Sequence, residues 1–184
     1  MIKKLSSQQK YSNPWLAVRE DQVEFDNGHR GIYSVIEKSD FVVIIPFDGE
    51  KFHLVKQYRY PIEAVTIEFP QGKHEDNPGE DPLQLAAAEL EEETGLRAGK
   101  LEPLGIFHAA PGHLKQVGHV FLATELTPGQ QKLDLTEADL ESFSLSPEEL
   151  DDLFRENEIT DGPTLIAYGM LKQLSLSPYT TEKV

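Results

Sequence analysis

The chain has 184 residues, a length that predicts one domain with room for a small appendage. Its formal net charge of −15 argues against nucleic acid as a partner, because phosphate binding requires clustered lysine and arginine. The sequence has no cysteine for disulfides or thiolate metal sites, and no apolar run of the roughly 18 residues that cross a membrane. The N-terminal lysines precede no apolar region, so we predict no signal peptide, no membrane partner and a cytoplasmic location.

Short strand patterns fill the N-terminal part of the chain. Residues 1–14 are polar and predict a loose tail. Apolar-rich segments follow at 15–18, 23–25 and 32–36. Asp26-Asn27-Gly28 is a turn signal between the last two. We therefore predict an antiparallel strand unit over residues 1–39, too small to be stable alone, that packs on the next domain.

Residues 40–184 mix strand and helix patterns. The continuous apolar run Phe41–Ile45 is typical of a strand buried on both faces. Further strands are predicted near 52–60, 65–69, 101–109, 117–126 and 141–145, and helices near 82–94, 147–157 and 164–174. This order predicts an α/β (α+β) fold in which a mixed β-sheet is sandwiched between helices.

The first predicted helix has clear end signals and an unusual number of glutamates. Asp81 suits its N-cap, Pro82 its first turn and Gly95 its C-terminal cap. At about 100° per residue, the glutamates at 89, 92 and 93 share one side, whereas the apolar residues lie roughly opposite. Those apolar residues are Leu83, Ala86, Ala87 and Leu90. Glu91 points elsewhere and is predicted to be an ordinary surface residue.

Like charges at these spacings repel by a few tenths of a kcal/mol per pair in water. The glutamate face is therefore either a solvated surface or a site for a cation. Ligation by carboxylates alone suits Mg²⁺ or Mn²⁺.

The segment from Gly72 to Leu96 resembles the box of the Nudix hydrolase family. That box reads Gly, five residues, Glu, seven residues, Arg-Glu, aliphatic, any, Glu-Glu, any, Gly, aliphatic. Glu80 is followed, after seven residues, by Ala-Glu-Leu-Glu-Glu-Glu-Thr-Gly-Leu at 88–96, which matches the second half. Two features depart from it: Ala88 occupies the arginine position, and seven residues instead of five separate Gly72 from Glu80.

The resemblance extends to the ADP-ribose pyrophosphatase branch of the family. Residues 57–61 and 68–72 resemble the strands before the box, and Pro111 lies 15 residues beyond Leu96, as in that branch. The branch implies metal-dependent hydrolysis of a nucleoside diphosphate linked to another group, with ADP-ribose giving AMP and ribose 5-phosphate. A nucleotide sugar of the GDP-mannose type is the alternative substrate. The branch also implies a homodimer in which residues 1–39 contribute to the partner's site.

The resemblance also implies roles for individual residues. The ligands of Mg²⁺ or Mn²⁺ would be the backbone carbonyl of Gln71 and the carboxylates of Glu89, Glu92 and Glu93, with Glu80 as an auxiliary. Arg59 would bind a substrate phosphate. The other substrate-binding candidates are Trp15, Glu68, Pro111 and His113. Trp15 would stack on adenine, and its alternative is a place in the N-terminal core. For the catalytic base Glu137 is favoured, with Asp139, Glu141 and Glu93 as alternatives.

Ala88 motivates a hypothesis from another class. The box arginine orients the box carboxylates, so its absence leaves Lys73 or Arg97 as candidate replacements. A Nudix-fold binding or regulatory domain with weak or no turnover is therefore a second hypothesis. An acidic structural domain without metal is a third.

Overall fold

The computed structural model of the protein describes residues 1–73, 81–133 and 138–176. Its strands are β1 (Lys3–Ser12), β2 (Ala17–Glu24), β3 (Arg30–Glu37), β4 (Phe41–Pro46), β5 (Phe52–Arg59), β6 (Ala64–Glu68), β7 (Gln71–Gly72), β8 (Leu96–His108), β9 (Leu114–Lys115), β10 (Val117–Pro128) and β11 (Glu141–Leu145). Its helices are α1 (Pro82–Thr94), α2 (Pro147–Arg155) and α3 (Gly162–Leu176), and a 3-10 turn covers Tyr60–Ile62. Within these described ranges, every helix is too short or too polar to cross a membrane.

The N-terminal sheet has the order β1-β2-β3-β9. The predicted loose tail is wrong, because β1 pairs antiparallel with β2 from Lys3 opposite Glu24 to Ser12 opposite Ala17. Every residue of β1 is exposed, so backbone hydrogen bonds rather than an apolar face define this strand. The sequence also divides β2 into two segments that the structure joins into one strand.

The predicted mixed sheet between helices is confirmed. Its order is β7-β4-β10-β8, in which β10 runs parallel to β4 and antiparallel to β8. Alternate residues of β4 face opposite sides of the sheet. Val42 and Ile44 pack against α1, whereas Val43 and Ile45 pack in the cluster that contains residues of α2 and α3. A smaller sheet, β11-β5-β6, completes the second unit.

The ends of α1 agree with the sequence, and its buried face agrees in part, since Ala86 and Leu90 are buried as predicted. The Asp81 carboxylate accepts the Leu83 N–H at 3.0 Å, and Gly95 adopts the left-handed conformation at φ 69°. Leu83 and Ala87 are exposed, contrary to the predicted apolar face. The buried residues are Leu85, Ala86, Glu89, Leu90 and Glu93. Two of the box glutamates therefore point inward with the apolar side chains.

The two parts of the chain are joined at the turn between β8 and β9. Strand β9 pairs in parallel with the end of β3, with Ile36 opposite Leu114. The Tyr33 hydroxyl donates to the Gly112 carbonyl at 2.9 Å, and the Gln116 amide donates to the Ser39 carbonyl at 2.7 Å. The N-terminal sheet therefore supports this turn directly.

Candidate active site

The candidate site lies where α1 faces the short strand β7. The Gln71 N–H donates to Glu93 Oε2 at 3.1 Å. A Cβ added to Gly72 would lie 2.3 Å from Glu89 Oε2, so a larger residue here would displace the Glu89 carboxylate from the strand. The sequence from β7 through α1 thus brings two box carboxylates against one stretch of backbone.

The donors present at this place fit a hard divalent cation. Glu89 is 7% exposed and Glu93 is fully buried, and burying carboxylates together is unfavourable without positive charge nearby. Carboxylate and carbonyl oxygens are the ligands of Mg²⁺ and Mn²⁺. Among the described residues, no three acidic or histidine side chains already form a complete cation site. Glu92, the remaining carboxylate predicted as a metal ligand, is half-buried on the same helix.

Arg59 is held by Glu68, which is fully buried beneath it. Arg59 Nε donates to Glu68 Oε1 at 2.7 Å, and Nη2 donates to Oε2 in a two-pronged pair. The Thr66 hydroxyl also donates to Glu68 Oε1, at 2.5 Å. Burial opposes ionisation of Glu68, but its hydrogen bonds, first those from Arg59, hold its pKa below the ordinary value. The Arg59 side chain remains 39% exposed, so an anion can approach it from solvent.

The side chain of Gln71 connects this pair to α3. Its amide donates to Glu68 and to Asp161 Oδ2, the latter at 3.1 Å. Asp161 Oδ2 also accepts the Thr164 N–H at 2.9 Å near the start of α3. Burial and the neighbouring Glu68 carboxylate raise the pKa of Asp161. Gln71 therefore contacts carboxylates with its side chain while its backbone N–H holds Glu93.

The remaining substrate-binding candidates lie at the surface and take no part in these hydrogen bonds. Trp15 is 52% exposed in the β1–β2 turn, where Asn13 Oδ1 accepts its N–H at 2.9 Å. The alternative that Trp15 belongs to the N-terminal core is therefore wrong. Pro111 and His113 are exposed in the turn between β8 and β9.

The candidates for the catalytic base are only partly covered by the structure. Glu137 lies outside the described residues, as does Glu80. Asp139 Oδ2 accepts the Tyr58 N–H at 3.0 Å and so supports the end of β5. Glu141 is exposed in β11, opposite Lys56.

Arg97 does not replace the missing box arginine. Its Nη2 lies 2.7 Å from Glu91 Oε1, which also accepts the Gln130 N–H at 3.3 Å. Glu91 does point away from the buried glutamates, but it is a half-buried ion-pair member instead of an ordinary surface residue. Lys73, half-buried directly after β7, remains a predicted replacement.

Comparisons with known proteins identify the family. Residues 38–166 match the NUDIX domain. This chain belongs to the Nudix hydrolase family. Its residues 2–36 match the nucleoside diphosphate sugar hydrolase N-terminal domain.

Relatives of this Nudix protein match it along almost its whole length. It is 33% identical over 172 residues to an ADP-ribose pyrophosphatase of Bacillus subtilis (strain 168), with 92% of each chain covered. It is 31% identical over 172 residues to a methanol dehydrogenase activator of Bacillus methanolicus, with the same coverage. Its structure resembles the crystal structure of an ADP compounds hydrolase at a TM-score of 0.83, covering 94% and 93% of the two chains. That pair is only 22% identical, so the likeness shows the fold alone.

Sequence patterns did not reveal the internal partners of the site. Nothing in the spacing of Thr66 or Gln71 indicates that both side chains donate to Glu68. The one available signal is the alternation of β6, which places residues 66 and 68 on the same face.

We expect Arg59→Met to lower the free energy of unfolding by about 2 kcal/mol, because it leaves a buried carboxylate without its charged partner. This loss of stability is at the low end for a buried ion pair because Arg59 is partly exposed. Urea unfolding at pH 7 measures the free energy of unfolding of both proteins. The double variant Arg59→Met/Glu68→Gln removes both charges but keeps an acceptor for the Thr66 hydroxyl and the Gln71 amide, so it should recover most of the loss.

The same pair predicts a pH dependence. Because the folded-state pKa of Glu68 is lowered, its contribution to stability is present above its ordinary pKa of 4.5 and is lost as the pH falls through the folded-state value. The stability difference between wild type and Arg59→Met should therefore shrink in acid. A difference that stays constant with pH would contradict this assignment.

Proposed function

We propose that this Nudix protein hydrolyses ADP-ribose to AMP and ribose 5-phosphate, in a reaction that requires Mg²⁺ or Mn²⁺. The observation that carries the proposal is the burial of Glu89 and Glu93, on a Nudix box helix, against the backbone of β7. The Bacillus subtilis relative, which is named an ADP-ribose pyrophosphatase, supports the choice of substrate. A cytoplasmic location remains a prediction from composition.

The residues of the site have separable roles in this proposal. The carboxylates of Glu89, Glu92 and Glu93 and the backbone carbonyl of Gln71 would hold the metal. When bound, the metal supplies charge neutralisation at the pyrophosphate and a water activated for attack. Arg59 binds a substrate phosphate with its exposed edge.

Glu68 acts through Arg59 in this proposal. Its carboxylate is fully buried and already accepts hydrogen bonds from Arg59, Thr66 and Gln71. We therefore assign Glu68 as a positioning residue that fixes the arginine fork, and not as a substrate contact. Glu137 is proposed as the base that positions the attacking water.

Two other functions have specific support. Nucleotide sugars of the GDP-mannose type are favoured by the match of residues 2–36 to the nucleoside diphosphate sugar hydrolase N-terminal domain. A binding or regulatory role is favoured by Ala88 and by the relative that is named a methanol dehydrogenase activator.

We also propose a homodimer in which the N-terminal sheet covers the partner's site. Large apolar side chains are exposed on this sheet and its turns, which supports an association surface. They include Ile2, Tyr11, Trp15 and Ile32. Trp15 would then stack on the adenine, with Pro111 and His113 in the adjoining turn.

A substrate panel tests the proposed reaction. With Mg²⁺ or Mn²⁺, ADP-ribose should release phosphomonoester faster than GDP-mannose, UDP-glucose, NADH or diadenosine polyphosphates.

Glu93→Gln should reduce kcat by about 100-fold or more, because it removes a metal ligand. Glu148→Gln, at an exposed position of α2, is the charge-matched control and should stay near wild type. Intact turnover in Glu93→Gln would show the metal assignment to be wrong, and no turnover on any compound would favour the binding role.

Glu137→Gln tests the base. It should slow turnover by about 100-fold, the usual contribution of a general base, while the Mg²⁺ dependence stays near wild type. Glu148→Gln is its control, since Glu148 is exposed on α2 and is not a candidate base. Unchanged turnover in Glu137→Gln would point to Asp139, Glu141 or Glu93.

Trp15 provides a probe of the dimer and of adenine stacking. It is the single tryptophan of the chain, so ADP-ribose should quench its fluorescence saturably when the site is bound. Light scattering should give twice the chain mass of 20.7 kDa. A monomeric mass would contradict the dimer. Tryptophan fluorescence that does not change on addition of ADP-ribose would contradict the stacking role.

A further inference from the structure

The last turn of α1 carries Glu92 and Glu93 at the negative end of the helix dipole. The final carbonyls of a helix have no partner within it, and the last turn of α1 contains no basic residue. Glutamates are unfavourable at such a position. Donors from another part of the chain can bind these carbonyls and hold this turn in place.

The segment Gly129–Lys132, here named the helix clamp, supplies those donors directly after β10. The Lys132 N–H donates to the Glu92 carbonyl at 3.0 Å. The Gln131 side-chain amide donates to the Glu93 carbonyl at 2.7 Å, and the Gly129 N–H donates to the Gly95 carbonyl at 2.7 Å. The clamp thus holds the main chain of two residues proposed as metal ligands.

The contact between the clamp and the helix end is close. A Cβ added to Gly95 would lie 3.0 Å from the Gln131 backbone nitrogen, and the φ of 69° at Gly95 also disfavours other residues. Glu91 strengthens the contact from the helix side, because it accepts the Gln130 N–H and pairs with Arg97. The helix end and the clamp therefore form one connected unit.

Glu93 is held at both of its ends. The Gln71 N–H binds its carboxylate at 3.1 Å, and the Gln131 amide binds its carbonyl at 2.7 Å. We propose that Gln131 is a positioning residue for the metal site, which fixes the main chain of Glu93 so that its carboxylate stays directed at β7. This inference rests on the proposed function, because it takes Glu92 and Glu93 as metal ligands. With alanine at the box-arginine position, the chain fixes these glutamates through their backbone.

Mn²⁺ binding by the intact protein, followed by the electron paramagnetic resonance signal of free Mn²⁺, tests the role of Gln131. Gln131→Met keeps the length of the side chain but removes the donor, and it should raise the Mn²⁺ Kd about tenfold, as for other residues that orient metal ligands. The matched control is Gln130→Met, because residue 130 contacts the helix through its backbone N–H alone among the contacts described. Its Mn²⁺ Kd should stay within about twofold of wild type. Gln131→Asn, one methylene too short to reach the carbonyl, should behave like Gln131→Met.

The outcomes separate this inference from the proposed function. Thermal unfolding in EDTA identifies which variants are folded. If Gln131→Met is unfolded, the Mn²⁺ Kd is measured on Gln131→Asn instead. A wild-type Mn²⁺ Kd in the folded Gln131 variants, together with weakened binding in Glu93→Gln, overturns the positioning role and leaves the metal site intact. A lowered Tm in EDTA with unchanged Mn²⁺ Kd also overturns it, since the contact would then be structural only. Equal Mn²⁺ binding by wild type and Glu93→Gln overturns both proposals.

Discussion

Carboxylates from different elements converge on the two residues of β7, and the site depends on how their charge is balanced. Glu68 reaches β7 from β6, Glu93 from α1 and Asp161 from the start of α3. Glu89 lies against Gly72, where no side chain separates it from the backbone. Buried carboxylates this close repel one another unless donors or cations compensate. Gln71 supplies neutral donors, and Arg59 supplies a cation to Glu68.

The rotation of α1 follows from this arrangement. A hydrophobic pattern places Leu83 and Ala87 inside, because an ordinary amphipathic helix buries its apolar residues. Here the helix turns so that Glu89 and Glu93 face β7, and Leu83 is left 42% exposed. The apolar pattern mispredicted Leu83 and Ala87 because a charged site and the core compete for the same face of the helix. The match to the Nudix box found these glutamates because it uses residue identity and spacing instead of hydrophobicity.

Other elements of the chain were predictable where neighbouring residues alone determine their structure. The caps of α1, the Ser146-Pro147 start of α2 and the buried run of β4 all depend on neighbouring residues, and the structure contains them. Strand β1 was missed because it forms by pairing with β2, and this pairing leaves no hydrophobic pattern in a largely polar segment. The bond from Gln131 to Glu93 was missed because it joins residues distant in sequence, and the Arg59–Glu68 pair because it depends on how β5 pairs with β6.

The pairing of β3 with β9 has a consequence for how this protein can vary. The turn that carries Pro111 and His113 belongs by sequence to the Nudix domain, yet Tyr33 and Ile36 of the N-terminal sheet bind its backbone. Gln116, just beyond the turn, binds the carbonyl of Ser39 in the connection between the two units. Ile36 and Ser39 contribute backbone groups, which any residue supplies, whereas Tyr33 contributes its hydroxyl. A chimera that exchanged residues 1–39 for those of a relative would therefore keep this turn in place most readily where the exchanged segment has tyrosine at position 33.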